Sequence, residues 1–240
     1  MDLARFLSAA DAQRAARTLD KLRRHGISAL ALTGGFAIEL QFIAHGPPAQ
    51  IRPLNDIDFL VASFEAIPPT LGADFLFRHV HPNDPPGKTL LQAIDPETSV
   101  RVDIFRAYGA EMERGQHIDF AGGFMRTVAP ADLIARAARL CLDLASGKPT
   151  PAKHTRDFLR LLPLAGSGIE RVWREHRKPS HPNTFAEAVQ LLTALIAERS
   201  DLQIAVEYSR DTHRQCPRCE ATPSFPLADP ARVLEILGYC

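Results

Sequence analysis

The sequence predicts an α+β fold, a mixed sheet with flanking helices followed by a helical C-terminal module. Three observations predict it. Short apolar runs bounded by Pro, Gly, Asn and Asp recur through the first half, helical periodicity takes over from residue 129, and one strand-like run passes through a double glycine into a helix. The 240 residues are 45% hydrophobic, enough to bury a core without covalent staples. The 28 basic and 28 acidic side chains cancel, which excludes a protein that coats nucleic acid over its whole surface. Local patches remain open, because 27–125 is net acidic and 126–178 net basic. No apolar run approaches the roughly 18 to 20 residues of a membrane span, and the first residues lack a basic start with an apolar stretch behind it. A cytoplasmic protein with no membrane partner is therefore expected. Four cysteines are too few and too unevenly placed for a disulfide scaffold.

In order along the chain, 2–24 has apolar residues at helical spacing and Gly26 stops it. Residues 27–32 read as a short buried strand running into Thr33, Gly34 and Gly35, after which 36–44 resumes a helical pattern. Around Asp56, Ile57, Asp58 and Phe59 acidic and apolar residues alternate, and period two puts both aspartates on one face of a strand. Further strands are expected at 75–80, 89–94, 100–105 and 124–128, with a loop at 81–87. Helices follow from Pro130 or Ala131 to 145, then at 151–162, 168–177 and 184–199, with one more beginning near Asp229. This divides the chain into an α/β core with an N-terminal helix at 1–128 and a helical region with a cysteine-containing tail at 129–240.

Three carboxylates stand on strand-like segments: Asp56, Asp58, and Asp103 among Val102, Ile104 and Phe105. Asp is a poor strand former, so three of them among apolar neighbours need a reason. If the two strands are adjacent, the side chains converge into a like-charge cluster suited to a divalent cation with oxygen ligands, Mg²⁺ above all. The double glycine opens a helix N-terminus to phosphate. A phosphate cradle beside an acidic metal cluster is the equipment of two-metal phosphoryl or nucleotidyl transfer.

These residues carry a resemblance. Gly34 and Gly35 before a helix, Arg52 ahead of Asn55, Asp56, Ile57, Asp58 and Phe59, and then Val102, Asp103, Ile104 and Phe105 resemble the nucleotidyltransferase superfamily typified by DNA polymerase beta. The sequence looks closest to its minimal bacterial branch, the AbiEii-type toxins and aminoglycoside-nucleotidyltransferase-like proteins. The later run of Pro130, Asp132, Leu133 and Ile134, with Lys153, Arg156 and Asp157 beyond it, resembles that branch's ending, so the likeness covers about 28–162.

The resemblance implies a nucleotidyltransferase-like sheet. It also implies that Asp56 and Asp58 bind two Mg²⁺ ions bridging the phosphates of an NTP, and that Asp103 shares a metal and acts as general base. Thr33, Gly34 and Gly35 would then hold the β and γ phosphates, with Arg52 near the phosphates or the acceptor, and Asp157 would match a later family aspartate. One departure stands out: Ala137 occupies the place of a family lysine, flanked by Arg136 and Arg139 as candidate substitutes.

The implied activity is transfer of a nucleoside monophosphate to a hydroxyl, the acceptor being a tRNA end, a protein side chain or a small molecule of the aminoglycoside type. A toxin role would bring an antitoxin protein as partner. The missing lysine leaves open a catalytically weak or inactive nucleotide-binding protein acting through a partner. In the tail, His213, Cys216 and Cys219 form a knuckle of zinc-ribbon type, with Cys240 as a fourth ligand for zinc; a single knuckle equally suits a reduced cysteine pair. Cys141, on an apolar helix face, reads as core.

Overall fold

The computed structural model describes residues 2–45, 49–78, 90–120, 123–145, 153–198 and 225–226. Its strands are β1 (Ala31–Thr33), β2 (Asp56–Val61), β3 (Leu76–Arg78), β4 (Leu90–Ile94), β5 (Arg101–Arg106), β6 (Gln116–Phe120), β7 (Gly123–Thr127) and the short β8 (Phe225–Pro226). Its helices are α1 (Ala9–Arg24), α2 (Gly34–His45), α3 (Pro130–Ala145), α4 (Lys153–Leu161), α5 (Ile169–His176) and α6 (Phe185–Glu198). The strands form one mixed sheet in the order β6-β7-β1-β2-β5-β4-β3-β8, so the expected α+β architecture holds. The β1–β7 and β2–β5 pairs are parallel and the others antiparallel. Among the described residues no helix is long and apolar enough to cross a membrane.

The central strands are buried on both faces, as their apolar runs demand: Ile57, Phe59, Leu60, Val61, Val102 and Ile104 are fully enclosed. α2 lies on β1 and β2, and α3 packs against α2, α4, α5 and α6. The apolar stripe of α3, from Leu133 through Ala138 to Leu142, joins the helices and the sheet in one core. Cys141 belongs to that stripe, and burial with the nearby Asp157 pushes its thiol up to about 12, so it stays protonated and inert.

Several boundaries differ from expectation for identifiable reasons. The N-terminal segment is not one helix: Leu3–Arg5 is a 3₁₀ turn, and α1 restarts at Ala9 because the Ser8 hydroxyl accepts the Asp11 amide at 3.2 Å. Between them Phe6 and Leu7 run beside Arg52, whose amide donates to the Phe6 carbonyl at 2.9 Å. The expected strand at 27–32 is shortened because Ile27–Ala29 forms a 3₁₀ turn, which still buries Ile27 and Leu30. β6 was not expected; it is an edge strand paired to β7 alone, and its polar residues hide the period-two signal. The expected loop at 81–87, the helix near Asp229 and the zinc candidates His213, Cys216, Cys219 and Cys240 lie outside the described residues.

Buried ion pairs tie these pieces together. Lys21 of α1 reaches Asp95 at 2.8 Å, and the Thr18 hydroxyl donates to the same carboxylate at 2.8 Å, fixing α1 to the β4–β5 turn. Arg114 forks onto Asp132 at 2.7 and 2.9 Å and also onto Glu175, while His176 Nε2 meets Asp132 at 2.9 Å. Burial alone would raise the Asp132 carboxyl, but Arg114 and His176 outweigh it and hold the group below its ordinary value; Asp95 is held down in the same way by Lys21 and Thr18. A depressed folded pKa contributes stability above the unfolded value of about 3.9, and that stability is lost as pH falls through the folded value. Stability is therefore expected to drop as the pH falls from about 5 to below about 3.9. Asp132→Asn should be less stable at pH 7 and lose less on acidification, which urea titrations at the two ends of that range would measure.

Candidate active site

The site begins with strand register. Thr33 of β1 stands opposite Asp58 of β2, Asp58 opposite Asp103 of β5, and Asp103 opposite Gln92 of β4, giving a lateral row across four strands. Directly opposite residues share a face. Asp56, two residues before Asp58, joins the same face and stands opposite Arg101. The adjacency on which convergence depended is thus present: carboxylate oxygens of Asp56, Asp58 and Asp103 lie within 4.8 Å of one another.

Their environment is strongly electrostatic. Burial, with the neighbouring Asp56 and Asp103 carboxylates, pushes the Asp58 carboxyl well above the usual carboxylate range, and Lys153 and Arg101 pull it back only in part. Gln92 Nε2 donates to Asp103 Oδ1 at 2.9 Å, and Arg101 is paired with both Asp56 and Asp103. A cluster that keeps one carboxyl from ionising at its ordinary pH is short of positive charge. With an all-oxygen donor set, it fits a hard divalent cation.

The glycine turn is pressed against this cluster. Gly34 has φ +61, and a Cβ there would lie 1.9 Å from Asp58 Oδ2, so both the backbone conformation and the space require glycine. A Cβ at Gly35 would meet the end of the Arg52 side chain at 2.9 Å. α2 starts at Gly34 itself, so its first backbone N–H groups are brought beside the carboxylates.

A cavity of about 470 Å³ opens over the site, and it gathers Thr33, Gly34, Gly35, Arg52, Arg136, Arg139 and Asp157 on its walls together with the three aspartates. Arg52 and Asp157 are engaged with each other: both terminal nitrogens of Arg52 donate to the Asp157 carboxylate, and its Nε donates to the fully buried Glu39 at 2.5 Å. Arg160 completes this network by forking onto Glu39 at 2.7 and 3.0 Å. Arg136 is bonded to Glu111, and the guanidiniums of Arg136 and Arg139 lie 4.8 and 4.4 Å from the Tyr108 ring centre. Arg52 and Asp157 thus brace the cavity wall, and Arg136 and Arg139 present a guanidinium–aromatic surface at it.

Sequence reasoning did not place Arg101, Gln92, Tyr108, Lys153 or Lys178 at the site. Arg101 had a readable signal, its two-residue spacing from Asp103, and Gln92 had another as the one polar side chain in an apolar strand. Lys153, the first residue of α4, lines the cavity and acts electrostatically on Asp58, so an ammonium is present although Ala137 holds the place expected for lysine on α3.

No protein-family model matches the sequence, and no curated protein does. Solved structures similar to this chain include an antigenic nucleotidyltransferase-like protein from Paracoccidioides brasiliensis, at 18% identity and TM-score 0.41, covering 80% of this chain and 90% of that one. They also include the polyadenylate synthase of Megavirus, at 13% identity and TM-score 0.46; the match covers 64% of this chain but only 31% of that protein's length. A third is the antibiotic-resistance factor ANT(2'')-Ia, at 16% identity and TM-score 0.44, covering 80% of this chain and 95% of that one.

Proposed function

We propose that this protein is a nucleotidyltransferase that moves a nucleoside monophosphate from an NTP to a hydroxyl acceptor. The observation that carries the reading is the in-register row of Thr33, Asp58 and Asp103, with Asp56 beside it and the Gly34 turn packed on the Asp58 carboxylate. Asp56, Asp58 and Asp103 would hold two divalent ions, Mg²⁺ by the donor set, which when bound neutralise the phosphates and polarise the α-phosphorus. The backbone of Thr33, Gly34 and Gly35 receives the β and γ phosphates.

The acceptor hydroxyl oxygen attacks the α-phosphorus in line, the bond to the bridging oxygen breaks, and pyrophosphate leaves with that electron pair. Asp103, its carboxylate oriented by Gln92, takes the hydroxyl proton as general base. The division near residue 128 assigns phosphates and carboxylates to the first part. The second part then supplies the basic wall of Arg136, Arg139, Lys153, His154 and Lys178.

That wall favours an acceptor that carries phosphates, such as the end of a tRNA, over a polycationic aminoglycoside. On the resemblance to AbiEii-type toxins, the proposal extends to a toxin held in check by an antitoxin protein. Purified protein supplied with Mg²⁺, NTP labelled on the α-phosphate and total RNA is expected to label an RNA. Asp56→Ala with Asp58→Ala should abolish labelling while leaving the circular dichroism spectrum unchanged, and turnover that survives this double substitution refutes the assignment.

A further inference from the structure

Arg101 is paired with two of the three carboxylates that would hold a metal ion. It lies on β5 directly opposite Asp56 and two residues ahead of Asp103, so strand geometry aims its side chain at the same face as the carboxylates. Its Nη2 donates to Asp56 Oδ2, and its Nε lies 3.2 Å from Asp103 Oδ1. One guanidinium therefore spans carboxylates of two adjacent strands and engages one oxygen of each. Its side chain is 16% exposed, those of Asp56 and Asp103 17% and 7%, so the arrangement is poorly screened by solvent. A divalent ion and this guanidinium compete for the negative charge of the same carboxylates, and the two cations repel at close range.

We propose that Arg101 is a positioning residue that acts as a resident counter-cation. It occupies the carboxylate cluster in the empty protein and gives it up only when nucleotide phosphates offer the guanidinium another partner, so that metal and NTP load together. This rests on the nucleotidyl-transfer reading of the site. The exchange is chemically matched, since a guanidinium pairs with phosphate oxygens as well as with carboxylates, and an NTP brings both the metal and the anion that draws Arg101 away. The backbone of β5, held between β2 and β4, stays in place while the long side chain turns. Metal binding without nucleotide is thereby kept weak, which protects the cluster from ions that arrive without substrate.

Mn²⁺ binding, read by the loss of the free-ion paramagnetic resonance signal, tests the proposal without any activity measurement. In the wild-type chain, a non-hydrolysable NTP analogue should tighten Mn²⁺ binding by about tenfold or more, the scale of an ordinary coupling between sites. Arg101→Met should bind Mn²⁺ alone about tenfold tighter than wild type and lose most of the effect of the analogue. Arg101→Lys, which keeps the charge, should behave as wild type, and Arg101→Gln is a second neutral variant should the methionine form fold poorly. A merely structural role for Arg101 would not tighten metal binding on removal. Equal Mn²⁺ affinity in wild type and both neutral variants, with the analogue still promoting binding, overturns the role of Arg101 alone. Absence of Mn²⁺ binding in every variant, with and without analogue, overturns the nucleotidyl-transfer reading and this proposal with it.

Discussion

Gly34→Ala is expected to lower nucleotidyl transfer by at least about a hundredfold, the scale on which a displacement of about 1 Å acts in a positioned site. The added Cβ would fall 1.9 Å from Asp58 Oδ2, 2.7 Å from its Cγ and 2.9 Å from its Cβ, so relief requires moving the whole carboxylate rather than a flexible tip. The residue also sits at φ +61, where an L side chain costs about 1 to 2 kcal/mol. Gly26→Ala separates the two contributions. It has the same kind of backbone, φ +73, but nothing within 4 Å of its Cβ, so it should lose the conformational part of stability and keep full activity. Initial rates with saturating NTP, set beside thermal unfolding of both variants, make the comparison. Activity of Gly34→Ala within about threefold of wild type would mean that the Asp58 position is not critical to the rate.

Glu39→Gln is expected to destabilise the protein by about 3 to 5 kcal/mol, the cost of breaking a buried ion pair from one side. Glu39 has no solvent exposure and accepts from Arg52 Nε, both terminal nitrogens of Arg160 and the Gln50 amide. The amide of glutamine removes the charge that offsets two guanidiniums and turns a donor toward donors. Because Arg52 also holds Asp157 of α4, the change should loosen the cavity wall that carries Lys153 as well. Urea unfolding measures the loss, and Glu113→Gln, on an exposed side chain, should shift stability by no more than about 0.5 kcal/mol.

The carboxylate cluster was legible because its signal is local. Alternation around Ile57 places Asp56 and Asp58 on one face whatever the strand pairs with, and Asp103 stands out in an apolar run. The register that puts Asp58 opposite Asp103 was not legible, since 45 residues separate them and a slip by one residue would have turned Asp103 to the other face. The same holds for Arg52, Glu39 and Asp157: the Arg52–Asp157 contact spans 105 positions, and nothing near Arg52 distinguishes a wall brace from a phosphate ligand. The spacing of Arg101 from Asp103 puts it on the same face, but its pairing with Asp56 depends on the β2–β5 register, which local sequence does not carry. The run at 27–32 misled for a different reason: a continuous apolar stretch satisfies the core as a turn or as a strand, and periodicity cannot choose between them.

The most direct test of nucleotidyl transfer is the fate of label from two NTPs, one carrying it on the α-phosphate and one on the γ-phosphate, incubated with the protein, Mg²⁺ and RNA. Attack at the α-phosphorus predicts that the α label enters the acceptor and the γ label is recovered as pyrophosphate, with both outcomes lost in the Asp56→Ala, Asp58→Ala protein. Label from the γ-phosphate in the acceptor, or incorporation of the α label that persists without both aspartates, would contradict it.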